Sequence, residues 1–191
     1  MGCGRQITQR NCWWPQLEFV RLDGMASLIR IGLIADTHGL LRPAALEFLK
    51  GSQMIIHCGD ICEAAVLREL SCIAPVRAVR GNNDRGPWAD ELPESEIVRA
   101  GDVAIYVIHD ISQIDIDPAA AGVRVVLSGH SHRPSIARRG GIWYVNPGSA
   151  GPRRFTLPVC AAELMIADGE IVPGIVNLQS GARLLDSQLR A

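Results

Sequence analysis

Aromatic residues make up only 5% of this 191-residue chain. No stretch approaches the ~20 consecutive apolar residues that a membrane-spanning helix needs, so no membrane partner is expected. Neither sign of charge dominates: 19 Lys and Arg face 20 Asp and Glu, for a formal net charge of −1. Without a basic block or stripe, no nucleic-acid coat is expected either. There is no internal repeat and no low-complexity tract. The N-terminal residues lack the apolar central run of a secretory signal, because Arg5 and Arg10 are followed by polar Asn11. Cysteine is present, at Cys3, Cys12, Cys58, Cys62, Cys72 and Cys160, but its irregular spacing in a chain of this length does not describe a disulfide framework. A cytoplasmic protein with reduced thiols is the expectation. Cys58 and Cys62 flank Asp60 and imitate a metal pair; the plainer reading makes Cys58 a small apolar strand residue and Cys62 the start of a helix.

What is present is a 48% hydrophobic chain whose length suits a single domain with a substantial core. Residues 1–24 stand apart, mixing Gln, Arg, Asn, Cys and Trp without a period, and are expected to be a disordered tail ahead of a second methionine, Met25. Residues 25–191 then form one domain. Leu28–Ala35 is apolar apart from Arg30, and similar runs recur at Met54–Cys58, Val76–Val79, Val103–Ile108 and Val123–Leu127. Continuous apolar runs of this kind are typical of parallel strands buried on both faces. Pro43 opens a helix to Lys50, and Ala64–Leu70 reads as another. Beyond Ser135, short runs separated by Gly predict antiparallel strands at Ile142–Val145, Val159–Ile166 and Ile171–Val176.

Each early apolar run ends in a metal-ligating residue type. The runs deliver, in order, Asp36-Thr37-His38, Gly59-Asp60, Gly81-Asn82-Asn83-Asp84, His109-Asp110 and Gly129-His130-Ser131-His132. In open α/β sheets ligands bind at the carboxyl ends of strands, so these groups are expected to gather on one rim. Asp oxygen and neutral His nitrogen suit divalent first-row metals. In an extended segment residues two apart point to one side, so Asp36/His38 and His130/His132 can each reach a common centre. A lone Asp after a strand is usually a helix cap and a lone His usually structural, but capping does not produce this coincidence. His57 lies inside its strand and is assigned to hydrogen bonding rather than ligation.

The order Asp-x-His, Gly-Asp, Gly-Asn-x-Asp, His, Gly-His-x-His resembles the calcineurin-like metallophosphoesterases. The stretches Ile56-His57-Cys58-Gly59-Asp60 and Asn146-Pro147-Gly148-Ser149, followed by Pro152-Arg153, are similar to the small single-domain phosphodiesterases of that superfamily. The resemblance implies an α/β fold, a four-layer α-β-β-α sandwich of two mixed sheets. It implies two divalent metal ions, with Mn favoured and Fe, Zn, Ni or Co also suited to the N/O donors. One ion would be held by Asp36, His38 and His132, the other by Asn82, His109 and His130, with Asp60 bridging. It implies hydrolysis of a small phosphorylated substrate, a phosphodiester, by a hydroxide between the metals. His57, Asp84 and Asp110 are expected to support the ligands from behind.

Two positions depart from the wider pattern. Asn83 stands where many superfamily members carry a histidine taken to protonate the leaving group, and an amide cannot act as an acid. Asp110 follows the ligand His109 where relatives often have Gly, and is expected to orient the His109 ring or to face solvent. The short segment Ile111–Gly122 predicts a site without a large cap. The alternative reading is a non-catalytic metal-binding scaffold of the same fold acting through protein partners, as in one eukaryotic retromer subunit. The filling of all seven ligand positions argues for the enzyme.

Overall fold

The computed structural model describes residues 28–154 and 156–184. The expected N-terminal tail lies outside the described residues. The chain forms β1 (Ile29–Ile34), α1 (Pro43–Leu49), β2 (Met54–His57), α2 (Ala64–Ser71), β3 (Val76–Ala78), the short α3 (Pro87–Asp90), β4 (Ser95–Ala100) and β5 (Val103–Ile108). A 3₁₀ turn at Ile111–Gln113 precedes β6 (Val123–Leu127), β7 (Ser135–Arg139), β8 (Ile142–Asn146), β9 (Cys160–Ala167) and β10 (Glu170–Asn177).

Two five-stranded sheets result, in the orders β10-β9-β1-β2-β3 and β4-β5-β6-β8-β7. In the first, β1, β2 and β3 run parallel while β9 and β10 are antiparallel. In the second, β5, β6 and β8 are parallel while β4 and β7 are antiparallel edges. The antiparallel expectation therefore holds for β9 and β10, whereas β8 is parallel to β6 and antiparallel only to β7.

Side chains of alternate residues explain both faces. Ile31 and Leu33 of β1, Ile56 of β2, Val103, Ile105 and Val107 of β5 and Leu164 of β9 meet in the core between the sheets. Ile34, Ile55 and Ala78 point the other way, onto Ala45 and Leu49 of α1 and Val66, Leu67 and Leu70 of α2. Outside the second sheet, Tyr106, Ile108 and Val126 are covered by Ile114 and Ile116. That fourth layer is carried by the 3₁₀ turn and loop after β5. Arg30, the one polar residue in the first apolar run, ties β1 to the end of α1: its guanidinium donates to the Phe48 and Lys50 carbonyls at 2.7 Å each and to Glu163 of β9 at 2.7 Å.

Candidate metal centre

Because β1, β2, β3, β5 and β6 all point one way within their sheets, the loops following them meet at one end of the sandwich. The loop after β1 is pinned to the loop after β2 by backbone bonds from Asp36 N to Gly59 O and from His38 N to Asp60 O, both 3.0 Å. Asp36, His38, Asp60, His130 and His132 all adopt positive φ, between 46° and 64°. Non-glycine residues rarely occupy this region, and such strain concentrates at functional sites. Two glycines allow the loops to close. A Cβ on Gly81 would fall 2.1 Å from the Asp60 backbone nitrogen, and one on Gly59 would fall 2.6 Å from His109 Nδ1.

All seven expected ligands lie in a contiguous cluster. His132 Nε2 is 3.4 Å from Asp36 Oδ1, and the His38 and His132 rings stack with centroids 5.3 Å apart. His109 Nε2 is 3.4 Å from Asp60 Oδ1 and 3.1 Å from Asn82 Oδ1, which in turn lies 3.0 Å from His130 Nδ1. His38 Nε2 is 3.7 Å from Asp60 Oδ2. The donor atoms of Asp36, His38 and His132, and those of Asp36, Asp60 and His109, lie within 4.8 Å of one another in each set.

The electrostatics suit a cation. Both Asp36 oxygens and His132 Nδ1 are buried without a hydrogen-bond partner. Burial, followed by repulsion from Asp60, pushes the Asp36 carboxyl up to about 8. An unpartnered buried carboxylate is expensive unless a positive charge sits beside it. Burial brings the His132 imidazole down to about 4, so it is neutral and able to donate a lone pair at neutral pH. His38 is lowered by burial as well. At Asp60, burial works upward, but the Asn83 hydrogen bonds outweigh it and hold the carboxyl below its ordinary value. These donors fit divalent metal ions.

The groups behind the cluster fix its tautomers. His109 Nδ1 donates to the Cys58 carbonyl at 2.8 Å, leaving Nε2 for the centre. Arg154 Nη2 donates to His38 Nε2 at 3.2 Å, so the His38 proton is on Nδ1, 3.4 Å from Cys62 Sγ. His57 is fully buried; its Nδ1 accepts from Gly59 N at 3.2 Å, so Nε2 carries the proton and meets Thr37 Oγ1 at 3.0 Å. Asp84 accepts from Cys62 N at 2.6 Å and Gly81 N at 2.7 Å, joining two of the loops.

Two sequence readings need correction. Asp110 does not orient His109, whose partner is Cys58 O; instead Asp110 Oδ1 takes Ser112 N at 2.9 Å and Oδ2 lies 3.9 Å from His130 Nε2. Cys62 does not start a helix. It precedes the cap of α2 at φ 67° and touches His38. Asn83, in addition, positions Asp60: its backbone N donates to Asp60 Oδ1 at 2.8 Å and its Nδ2 to Asp60 Oδ2 at 2.6 Å.

The end of β8 and the loop after it also do more than mark a resemblance. Asn146 Nδ2 donates to Gly129 O at 2.6 Å, holding the His130/His132 loop, and Ser149 Oγ donates to Asp36 O at 2.9 Å, holding the Asp36/His38 loop. Spacing gave no sign of this, because the contact joins residues far apart in the chain.

The family model for the calcineurin-like phosphoesterase superfamily domain matches residues 29–169. The chain belongs to this superfamily. A metallophosphoesterase of Methanothermobacter thermautotrophicus, named as probable, is 31% identical over 152 residues, which is 73% of this chain and 87% of that protein. The phosphodiesterase MJ0936 of Methanocaldococcus jannaschii is 27% identical over 138 residues, 63% of this chain and 83% of its own length. In fold, the chain is similar to the zinc-complexed Vps29 of Entamoeba histolytica, with a TM-score of 0.66 at 24% identity over 82% of this chain and 96% of that one. The superfamily hydrolyses phosphate esters with divalent metals. Among the described residues of this metallophosphoesterase no helix is long and apolar enough to cross a membrane.

Proposed function

We propose that the protein is a dinuclear phosphodiesterase, with Asp36, His38 and His132 holding one divalent ion, Asn82, His109 and His130 the other, and Asp60 between them. The observation that carries this reading is the pair of partnerless buried oxygens on Asp36 within reach of His38, His132, Asp60 and His109 donors. Such a pair of ions lowers the pKa of a water and offsets charge on a phosphoryl group; Mn, Fe, Zn, Ni and Co all suit the N/O donor set.

The protein's own groups set the geometry. Asn83 keeps Asp60 ionised and turned toward both sides of the cluster. Cys58 O fixes the His109 ring through Nδ1. Arg154, beside His38, presents a guanidinium where an anionic phosphoryl group would approach. The diester preference draws on the likeness to a phosphodiesterase and on Asn83, which offers no proton to a poor leaving group. A cytoplasmic setting agrees with the free state of Cys58, Cys62, Cys72 and Cys160.

The test strips the full chain with chelator, reconstitutes it with each metal in turn, and compares an aryl phosphodiester with the matching monoester. Two bound ions per chain and a higher kcat/KM on the diester are expected. A single ion, or a monoester preference, overturns the reading. The scaffold alternative, raised by the likeness to Vps29, predicts metal binding with no turnover on either ester.

A further inference from the structure

A cleft of about 440 Å³ opens directly from Asn82, His109 and His130. One wall is the segment after β5, carrying Asp110, Gln113 and Asp115; the other follows β3 and carries Arg80 and Arg85. We propose that this cleft is the subsite for the alcohol portion of the substrate, and that it selects an uncharged polyol such as a glyceryl or sugar group. The proposal rests on the phosphodiesterase reading, since it takes the phosphoryl group to lie over the cluster.

Size comes first. A volume near 440 Å³ is at the small end of ligand pockets, enough for a short polyol. Charge comes next. Arg80 is already paired with Asp90 at 3.3 Å and Glu94 at 2.7 Å. That leaves Arg85, among the described residues, as the one further cation in the lining against the carboxylates of Asp84, Asp110 and Asp115, so a second phosphate or carboxylate on the substrate would meet net negative walls.

The hydrogen-bonding inventory points to hydroxyls. Arg85 spends one donor on the Asp84 carbonyl at 3.0 Å and has others to offer. Asp110 and Asp115 each use Oδ1, toward Ser112 and the Tyr106 hydroxyl, and keep Oδ2 as an acceptor. The Gln113 amide supplies one group of each kind. One wall thus offers mainly acceptors and the other donors, and a hydroxyl between them satisfies both. A nucleobase is disfavoured for a separate reason: among the described residues no Phe, Tyr or Trp lines the cleft, and its two imidazoles, His109 and His130, belong to the metal centre, so a free platform for the stacking worth about 1–3 kcal/mol per base is absent.

The experiment uses the metal-reconstituted full chain and calorimetric binding of three probes: inorganic phosphate, glycerol 1-phosphate and a nucleoside 5′-monophosphate. Two new hydrogen bonds, each worth about 0.5–1.5 kcal/mol, predict glycerol 1-phosphate binding about tenfold tighter than inorganic phosphate. In Gln113→Leu and Arg85→Ala that ratio falls toward one. Equal or tighter binding of the nucleotide overturns the proposal, as does a ratio unchanged in both variants. If the phosphodiesterase reading itself fails, the result is different: the aryl diester is not turned over, or is turned over more slowly than the monoester, whatever the binding ratio.

Discussion

Replacing Asp36 by Asn should stabilise the metal-stripped protein while weakening its response to metal. Asp36 is fully buried and both its oxygens lack partners. Its carboxyl is raised from 3.8 to about 8. The unfolded chain therefore ionises this group above 3.8 while the folded chain holds the proton to about 8, so stability is lost as pH rises across that window. At about 1.4 kcal/mol per pH unit, the cost near pH 7 is on the order of 4 kcal/mol. A buried amide without partners returns about 1–3 kcal/mol of that, leaving a net gain of roughly 1–3 kcal/mol. In a domain of this size that raises Tm by about 2–4 °C per kcal/mol. The assay is thermal unfolding of chelator-treated wild type and Asp36→Asn from pH 4 to 8. The variant should be the more stable at pH 8 and lose its advantage toward pH 4. Added Mn should stabilise the wild type by about 2.7 kcal/mol at a hundredfold excess over Kd and the variant, which keeps only the Asn82, His109 and His130 set, by less. A variant no more stable than wild type at pH 8, or one stabilised by Mn to the same extent, refutes the reasoning.

Gly81→Ala places a methyl 2.1 Å from the Asp60 backbone nitrogen, so the two loops must separate; metal affinity measured by calorimetry should fall by about 10–100-fold, and unchanged affinity would show that the loops can yield. Asn83→His removes the 2.6 Å bond to Asp60 Oδ2 while offering an acid: activity on alkyl diesters should rise relative to aryl diesters, whereas metal affinity drops. In the native protein the rate should depend steeply on leaving-group pKa, because general-acid help is worth about 10²–10⁴-fold; a flat series with chemistry rate-limiting would mean that another group supplies the proton. Burial lowers His57 to about 3, so the folded state stays neutral where the unfolded state takes up a proton, and its contribution to stability is lost as pH falls from about 6.5 toward 3. His57→Gln should flatten that acid limb in urea titrations at pH 4 to 7, and superimposable wild-type and variant profiles would remove His57 from the account.

The central strands of both sheets were legible in the sequence because they are buried on both faces and carry unbroken apolar side chains, as Val103–Ile108 does. The edge strands β4 and β7 were not. Glu96, paired with Arg77, and the exposed Arg99, or the exposed Arg138 and Arg139, break the run, so only pairing along a neighbour identifies those segments as strands. The cluster residues Asp36, His38, Asp60, Asn82, His109, His130 and His132 were readable in one dimension, since each follows a strand and parallel strands end together. What surrounds them was decided by the tertiary structure. Asn83 over Asp60, Cys62 against His38, Arg154 at His38, and Asn146 and Ser149 bracing two loops are contacts between segments far apart in sequence. The same holds for the cleft beside His130, whose walls come from different sheets. Residue type and spacing report which groups a strand delivers to the rim; hydrogen-bond partners and cavity walls depend on how the two sheets stack, and that is set by the packing of the core between them.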